Sequence, residues 1–441
     1  MIKDMTSGSP MKLMLAFTLP MFAGNLFQQL YNVVDTIIVG KFVGREALAA
    51  VGSCFAIVVL INSIILGLAM GASVLFSQLY GAKDYKRLKT AVILASIFIL
   101  AITVFLSLTA FVCTSHIIRL YKIPAEMVQY STDYLRCIFA GLLFVSLYNL
   151  SANLLRSLGD SKTPLYFLLL ACGINIALDL LFVVRAGMAV LGVAIATVIA
   201  QAVSGIACAG FAAHRVRFLQ FKREDAVFDA VLFRSMSRFA ILTSLQQSVM
   251  NFGIVMIQSL VNTFGAALMA AFAAGVKIDA FAYMPVQDFG NALSTYTAQN
   301  AGAGNWKRVR QGLKTAALIS GIFALAVSLM VVFFAKPLIG LFVKAGDLEV
   351  IAIGVHYLRI EGAFYVLIGF LFLFYGFYRG LGYASVSIVL TVVSLGTRVL
   401  LAYLLAPALG FTMIFWAIPI GWLLADIVGL GIWMRLRRRW A

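Results

Sequence analysis

Twelve stretches of this chain are apolar for about 20 residues or more, each closed off by charged or turn-forming residues. They lie near 13–39, 47–79, 90–113, 132–155, 164–184, 189–212, 239–263, 267–298, 313–335, 350–378, 384–406 and 412–434. A helix rising about 1.5 Å per residue needs about 20 residues to cross the hydrocarbon of a bilayer. The expected fold is therefore an all-α polytopic membrane protein with twelve transmembrane helices. Runs and short connectors use nearly the whole chain, which leaves no room for a sizeable extramembrane domain. Composition points the same way, with 63% hydrophobic and 12% charged residues. A soluble domain has roughly half and a quarter, so a soluble enzyme or binding module is excluded.

The net charge of +17 sits in short loops between apolar runs rather than on a basic face, so no nucleic-acid partner is expected. Counted on alternate sides, Lys and Arg divide roughly 23 against 7, the larger share falling on the side of both termini. The positive-inside rule then places both termini in the cytoplasm. The one long charged connector interleaves Arg215, Arg217, Lys222 and Arg223 with Phe218, Phe221, Phe228 and Phe233. It reads as an interfacial linker over 213–238, between an N-lobe at 1–212 and a C-lobe at 239–441. The five cysteines have no C-x-x-C spacing, so neither a disulfide framework nor a zinc site follows. The first apolar run is too long for a signal-peptide core, and the N-terminus is expected to be retained.

An internal repeat is visible. A shift of 221 residues aligns Gln78, Gly81 and Ala82 with Gln299, Gly302 and Ala303, and Lys86-Arg87 with Lys307-Arg308. A shift of 223 aligns Tyr134-Leu135-Arg136 with Tyr357-Leu358-Arg359, and Arg156, Leu158 and Gly159 with Arg379, Leu381 and Gly382. Two halves of six spans each must share one orientation. Parallel repeats of this kind, related by a pseudo-twofold axis along the membrane normal, are a transporter architecture with the substrate path between the halves.

The first span carries Asn25, Gln28, Asn32 and Asp35 at helical spacing, and the seventh carries Ser244, Gln247, Asn251 and Gln258. Polar faces in hydrocarbon need water or a hydrogen-bonding partner. Two stripes at matching repeat positions favour a shared central cavity over simple interhelical bonding. Asp35 and Asp179 are the intramembrane acids of most interest; Asn175 lies one turn before Asp179, Thr197 and Gln201 share a face of the sixth span, and Asn149 and Asn153 share one of the fourth. An intramembrane carboxylate is a place where a proton and a cation compete. Lys277 and Asp279 are read as offsetting each other, Glu361 as lying beside Arg359 near a membrane end, Asp426 as snorkelling, and Arg398 as half of a structural ion pair. Gly67 and Gly71 fit a close-packing motif of the kind expected by chance among 36 glycines.

No H-E-x-x-H, G-x-S-x-G or G-x-x-x-x-G-K-[ST] is present, so the chain reads as no enzyme and uses no ATP itself. No cofactor is expected beyond a coupling ion, and uphill transport would be secondary.

Several segments resemble the multidrug and toxic compound extrusion (MATE) family. They are Leu19-Pro20, NVVDTIIVG (Asn32–Gly40), ALAAVG (Ala47–Gly52), SQLYGAKDYKR (Ser77–Arg87), RSLGDSKTP (Arg156–Pro164), MPVQDFGNALSTYTAQNAGAGN (Met284–Asn305) and RGLGYAS (Arg379–Ser385). The resemblance implies two lobes in a V shape and antiport of organic cations against H⁺ or Na⁺. It is nearer the DinF-like than the NorM-like branch. By position Asp35, Asn175, Asp179 and Thr197 match the former's N-lobe ion site, with Asn153 nearby, and Na⁺ could be held there. The seventh span has no acid and the tenth has Ile368 where the NorM-like acid would lie, which argues against a C-lobe sodium site. The expected function is export of amphipathic, cationic small molecules by a monomer in the lipid bilayer. The cleft is expected to involve Asn25, Gln28, Asn32, Gln247, Asn251, Met256, Tyr283, Met284 and Arg398. The runner-up is a lipid-linked saccharide flippase of the same superfamily, for which the intramembrane cations Arg398 and Lys277 are thin support.

Overall fold

The computed structural model describes residues 3–121, 123–216, 225, 227–344 and 346–438. Lys122, Arg439 and, in the charged connector, Arg217, Phe218, Phe221, Lys222 and Arg223 lie outside the described residues, as does the side chain of Arg215. Among the described residues every regular element is a helix. Fifteen α-helices follow one another: α1 (Pro10–Ile38), α2 (Arg45–Gly81), α3 (Tyr85–Val112), α4 (Thr114–Leu120), α5 (Val128–Ser157), α6 (Lys162–Asp179), α7 (Ala189–Arg215), α8 (Ala230–Val261), α9 (Ala266–Gly302), α10 (Trp306–Phe333), α11 (Ala335–Gly340), α12 (Leu348–Ala363), α13 (Tyr365–Gly380), α14 (Ala384–Leu409) and α15 (Thr412–Arg437). Eleven helical spans, some including short π or 3₁₀ extensions, are long and apolar enough to cross a bilayer, and α12 with α13 makes a twelfth, bent by 52° at Phe364. The tenth run was expected to be one continuous span; it is two half-length helices. The short α4 and α11 carry no long apolar run and were not anticipated.

The chain divides into two compact units, Met1–Asp4 with Leu19–Gln247 and Met5–Thr18 with Ser248–Ala441. The division thus falls inside α1 and α8, rather than at the loops that bound the expected lobes. In the first unit α5 is central and packs against α2, α3 and α7, while α6 packs on α7. Helix packing there relies on small residues. A Cβ placed on Gly67 would lie 2.4 Å from Ser244 Cα, and one on Gly71 2.2 Å from the Phe239 carbonyl oxygen. This glycine pair is therefore a contact surface for α8, where close approach replaces the hydrophobic driving force that lipid removes. Ser244 donates to the Ile64 carbonyl at 3.1 Å across the same crossing. Asp225, from the connector, is fixed to α3 by Lys89 at 3.2 Å.

In the second unit α9 packs against α13, α10 and α12, and α14 against α15. Gly290 and Gly376 let α9 and α13 meet, since a Cβ on Gly376 would overlap the Gly290 carbonyl at 1.9 Å. The segment before α1 is held by the far end of α9. The Met5 N–H donates to Gln299 Oε1 at 2.9 Å, and the Met5 carbonyl accepts from Asn300 Nδ2 at 3.0 Å and Arg308 Nη2 at 3.2 Å. Met5 is fully buried as a result.

Candidate functional site

In the first unit, α1 carries Tyr31 and Asp35 one turn apart, and α6 carries Asn175 and Asp179 one turn apart, so each pair shares a helix face. Thr197 comes from α7 and Tyr134 from α5. Asn175 and Asp179 are buried, at 1% and 0% exposure. The orientation of the Asn175 amide that satisfies its surroundings donates to Asp35 Oδ1 at 2.9 Å and to Asp179 Oδ2 at 3.3 Å. The other amide atom then faces Thr197 Oγ1 at 3.4 Å. Asn175 thus bridges the Asp35 and Asp179 carboxyls, and two neighbouring carboxyls need a proton or a cation between them to offset their repulsion. Asp179 Oδ1 has no partner among the described residues. Tyr31 reaches Thr197, and Tyr134 lies within electrostatic range of both acids. Tyr134 stood out in the sequence only as part of the repeat and Tyr31 not at all; the spacing of Tyr31 to Asp35 was the signal available.

Asn153 is not part of this group. It lies 19 residues beyond Tyr134 on α5, about 28 Å along the helix. Its amide donates to the Asn149 carbonyl one turn back at 2.9 Å. The shared polar face of the fourth span is thus satisfied by its own backbone.

The second unit holds a buried acidic group that the sequence reading passed over. Asp279 on α9 accepts hydrogen bonds from Tyr357 of α12, at 2.5 Å, and from Tyr365 of α13; Glu361 of α12 accepts one from Tyr283 of α9. Asp279 and Glu361 are each 2% exposed. Trp422 of α15 packs edge-on to Tyr283. Lys277 does not offset Asp279, because residues two apart on a helix face opposite ways; it is exposed and lies over the Phe342 ring at 5.9 Å. Glu361 is not near a membrane end: it lies three residues before the break at Phe364, near the middle of the span. Ile368 still stands where the NorM-like acid would lie, and Glu361 is seven residues before it. Tyr134 and Tyr357, equivalent in the repeat, stand beside the acids of their respective units.

The residues expected to line a substrate path divide between the units. Asn25, Gln28, Asn32 and Gln247 belong to the first. Gln28 and Asn32 are exposed, and Asn32 donates to the Gln29 side chain at 3.1 Å. Gln247 is buried, at 6% exposure, on the α8 segment that crosses α2. Asn251, Met256, Tyr283, Met284 and Arg398 belong to the second unit and are half-buried. The Met256 carbonyl accepts from the Tyr403 hydroxyl at 3.1 Å, and Tyr283 is engaged with Glu361. Arg398 Nε has no hydrogen-bond partner among the described residues.

Comparison with known proteins matches the MatE family model to residues 20–181 and 240–404, once in each half of the repeat. The probable multidrug resistance protein YpnP of Bacillus subtilis (strain 168) is 29% identical over 432 residues, covering 98% of this chain and 93% of that protein. The solved outward-facing conformation of a multidrug resistance MATE family transporter of the MOP superfamily superimposes with a TM-score of 0.91 at 26% identity, covering 98% of this chain and 97% of the other. A MOP superfamily transporter from Pyrococcus furiosus, described as having a binding pocket of reverse polarity that suggests a different function, gives a TM-score of 0.92 at 25% identity with the same coverage.

Proposed function

The chain belongs to the MatE family of multi-pass membrane transporters, and on that premise we propose that it is a secondary active antiporter exporting amphipathic, cationic small molecules in exchange for H⁺ or Na⁺. The observation that carries the reading is the Asp35–Asn175–Asp179–Thr197 group, with one carboxyl oxygen left unpartnered inside a helix bundle. Buried polar atoms are nearly always satisfied, so an orphan oxygen on one of two neighbouring acids is a place for a transient proton or cation. Asn175 distinguishes the two. With a proton shared by the carboxyls, its N–H₂ faces them. With Na⁺ between them, reversing the amide would add its oxygen to those of Thr197 and the acids. Moving one charge through about 150 mV supplies roughly 3.5 kcal/mol, enough for a substrate gradient of several hundred-fold.

The Lys and Arg bias supports both termini being cytoplasmic, and the bacterial relatives support a bacterial inner membrane as the site. The protein acts as a monomer on small-molecule substrates, without nucleic acid and without a cofactor beyond the ion. Dye efflux from proteoliposomes under an imposed ΔpH or Na⁺ gradient tests coupling, and saturable exchange driven by one gradient is expected. Efflux indifferent to both gradients overturns the reading. A dye panel matched in size but differing in charge tests selectivity: anionic members leaving as fast as cationic ones would remove the charge preference.

A further inference from the structure

A groove of about 840 Å³ lies in the second unit between the start of α10, the middle of α13 and the end of α15. Its rim is basic, with Arg310 and Lys314 from α10 and Arg437 and Arg438 from the end of α15. Its walls are apolar and aromatic, with Phe370, Phe374 and Trp433 among them. The groove is on the outer surface of the unit, since the wall residues Leu423, Ile427 and Leu430 are about half exposed. The rim residues lie in the first turns of one apolar span and at the very end of another, Arg437 in its last turn and Arg438 just beyond, which is headgroup depth in a bilayer. Apolar surface below and four cations above is the charge pattern of an anionic lipid, whose phosphate each nearby Lys or Arg attracts. Neither the ion groups nor the expected substrate path use any of these residues.

We infer that the groove binds one anionic diacyl phospholipid, its phosphate held by Arg310, Lys314, Arg437 and Arg438 and its acyl chains packed on Phe370, Phe374 and Trp433. Asp426, the one acid on the wall, makes the inference testable. It lies 11 residues before Arg437, about 16 Å below the rim, and neither carboxyl oxygen has a hydrogen-bond partner among the described residues. A lipid acyl chain would pass it without needing its charge. A lipophilic organic cation, by contrast, would be drawn to it and repelled by the rim.

The test uses the full chain in phosphatidylcholine vesicles carrying a small, equal fraction of brominated phosphatidylglycerol or brominated phosphatidylcholine. Bromine on the chains quenches Trp433, read as the difference between the wild type and Trp433→Phe. Phosphatidylglycerol should be preferred by about tenfold, equivalent to about 1.4 kcal/mol. The preference should fall to within about twofold in Lys314→Gln/Arg437→Gln, persist in Lys314→Arg, and be unchanged in Asp426→Asn. Equal quenching by the two lipids overturns the inference, as does a preference that survives loss of the rim charges. Displacement of phosphatidylglycerol by tetraphenylphosphonium in the wild type but not in Asp426→Asn also overturns it, in favour of a cation site. If the double variant does not fold, the wild-type comparison and Lys314→Arg still decide.

Discussion

Asp84 and Asn305, 221 residues apart, perform the same task at the start of equivalent helices. Each side chain caps its helix by accepting the amide of the residue three further on, Arg87 at 3.1 Å and Arg308 at 3.3 Å. The residues before them, Lys83 and Gly304, both have positive φ, 59° and 69°. Gly44 and Gly265, Gly159 and Gly382, and Gly187 and Gly410 are likewise pairs of positive-φ glycines at repeat positions. The helices between them also agree, 37 residues for α2 and α9 and 28 for α3 and α10.

The equivalence predicts matched stability effects. Asp84→Ala and Asn305→Ala should each cost about 1 kcal/mol and add in the double variant, because the sites share no partner. Lys83→Gly should stabilise by up to about 1 kcal/mol, since it places glycine where the backbone is left-handed, as in the second half. Unfolding of the detergent-solubilised protein by heat or denaturant reads all four.

For the ion group, Asp35→Asn and Asp179→Asn should each abolish gradient-driven efflux while leaving insertion and chromatographic behaviour unchanged. Full gradient-dependent transport in both single variants would remove these residues from coupling. Asn153→Ala should leave coupling nearly intact, as its amide serves its own helix.

Two glycines of α2 should respond in opposite ways. Gly71→Ala forces a methyl into the Phe239 carbonyl and should cost at least the 1–3 kcal/mol of a core overpacking. Gly52→Ala meets nothing within 4 Å and should stabilise the helix by roughly 1 kcal/mol. Melting temperatures of the two variants check the contrast.

Acid should weaken the turn between α5 and α6. Burial pushes the Asp160 carboxyl up, but donors including the Thr163 hydroxyl at 2.7 Å and amide at 3.1 Å outweigh it and hold the carboxyl below the usual range. Its stabilisation is therefore present above the unfolded value of about 3.9 and lost as pH falls through the folded value. Asp160→Ala should be less stable than the wild type at neutral pH, and the gap should close below about pH 4. A gap constant with pH would contradict this.

Spans and repeat were legible because both are one-dimensional: an apolar run and a recurring motif need no knowledge of packing. The Asp35, Asn175, Asp179 and Thr197 group was legible because polar residues one turn apart stand out against hydrocarbon. The Asp279–Glu361 group was not, since its three tyrosines come from α9, α12 and α13 and only packing brings them together. The break at Phe364 carries no proline, so nothing in the run announced it, although the bounds of the run already put Glu361 near mid-span. The Gly67–Gly71 pair looked like chance because glycines are abundant; its meaning lies in the backbone it faces.

The clamp on Met5 has a consequence for biosynthesis. Its partners Gln299 and Asn300 are 294 and 295 residues downstream. At about 5–20 residues per second, Met5 waits roughly 15–60 s at the ribosome and translocon before the residues that receive it exist. Completion of the second unit is thus tied to a segment made first and docked late. Bulk fused directly ahead of Met5 would be felt at the junction of α9 and α10, not in the helices synthesised next to it.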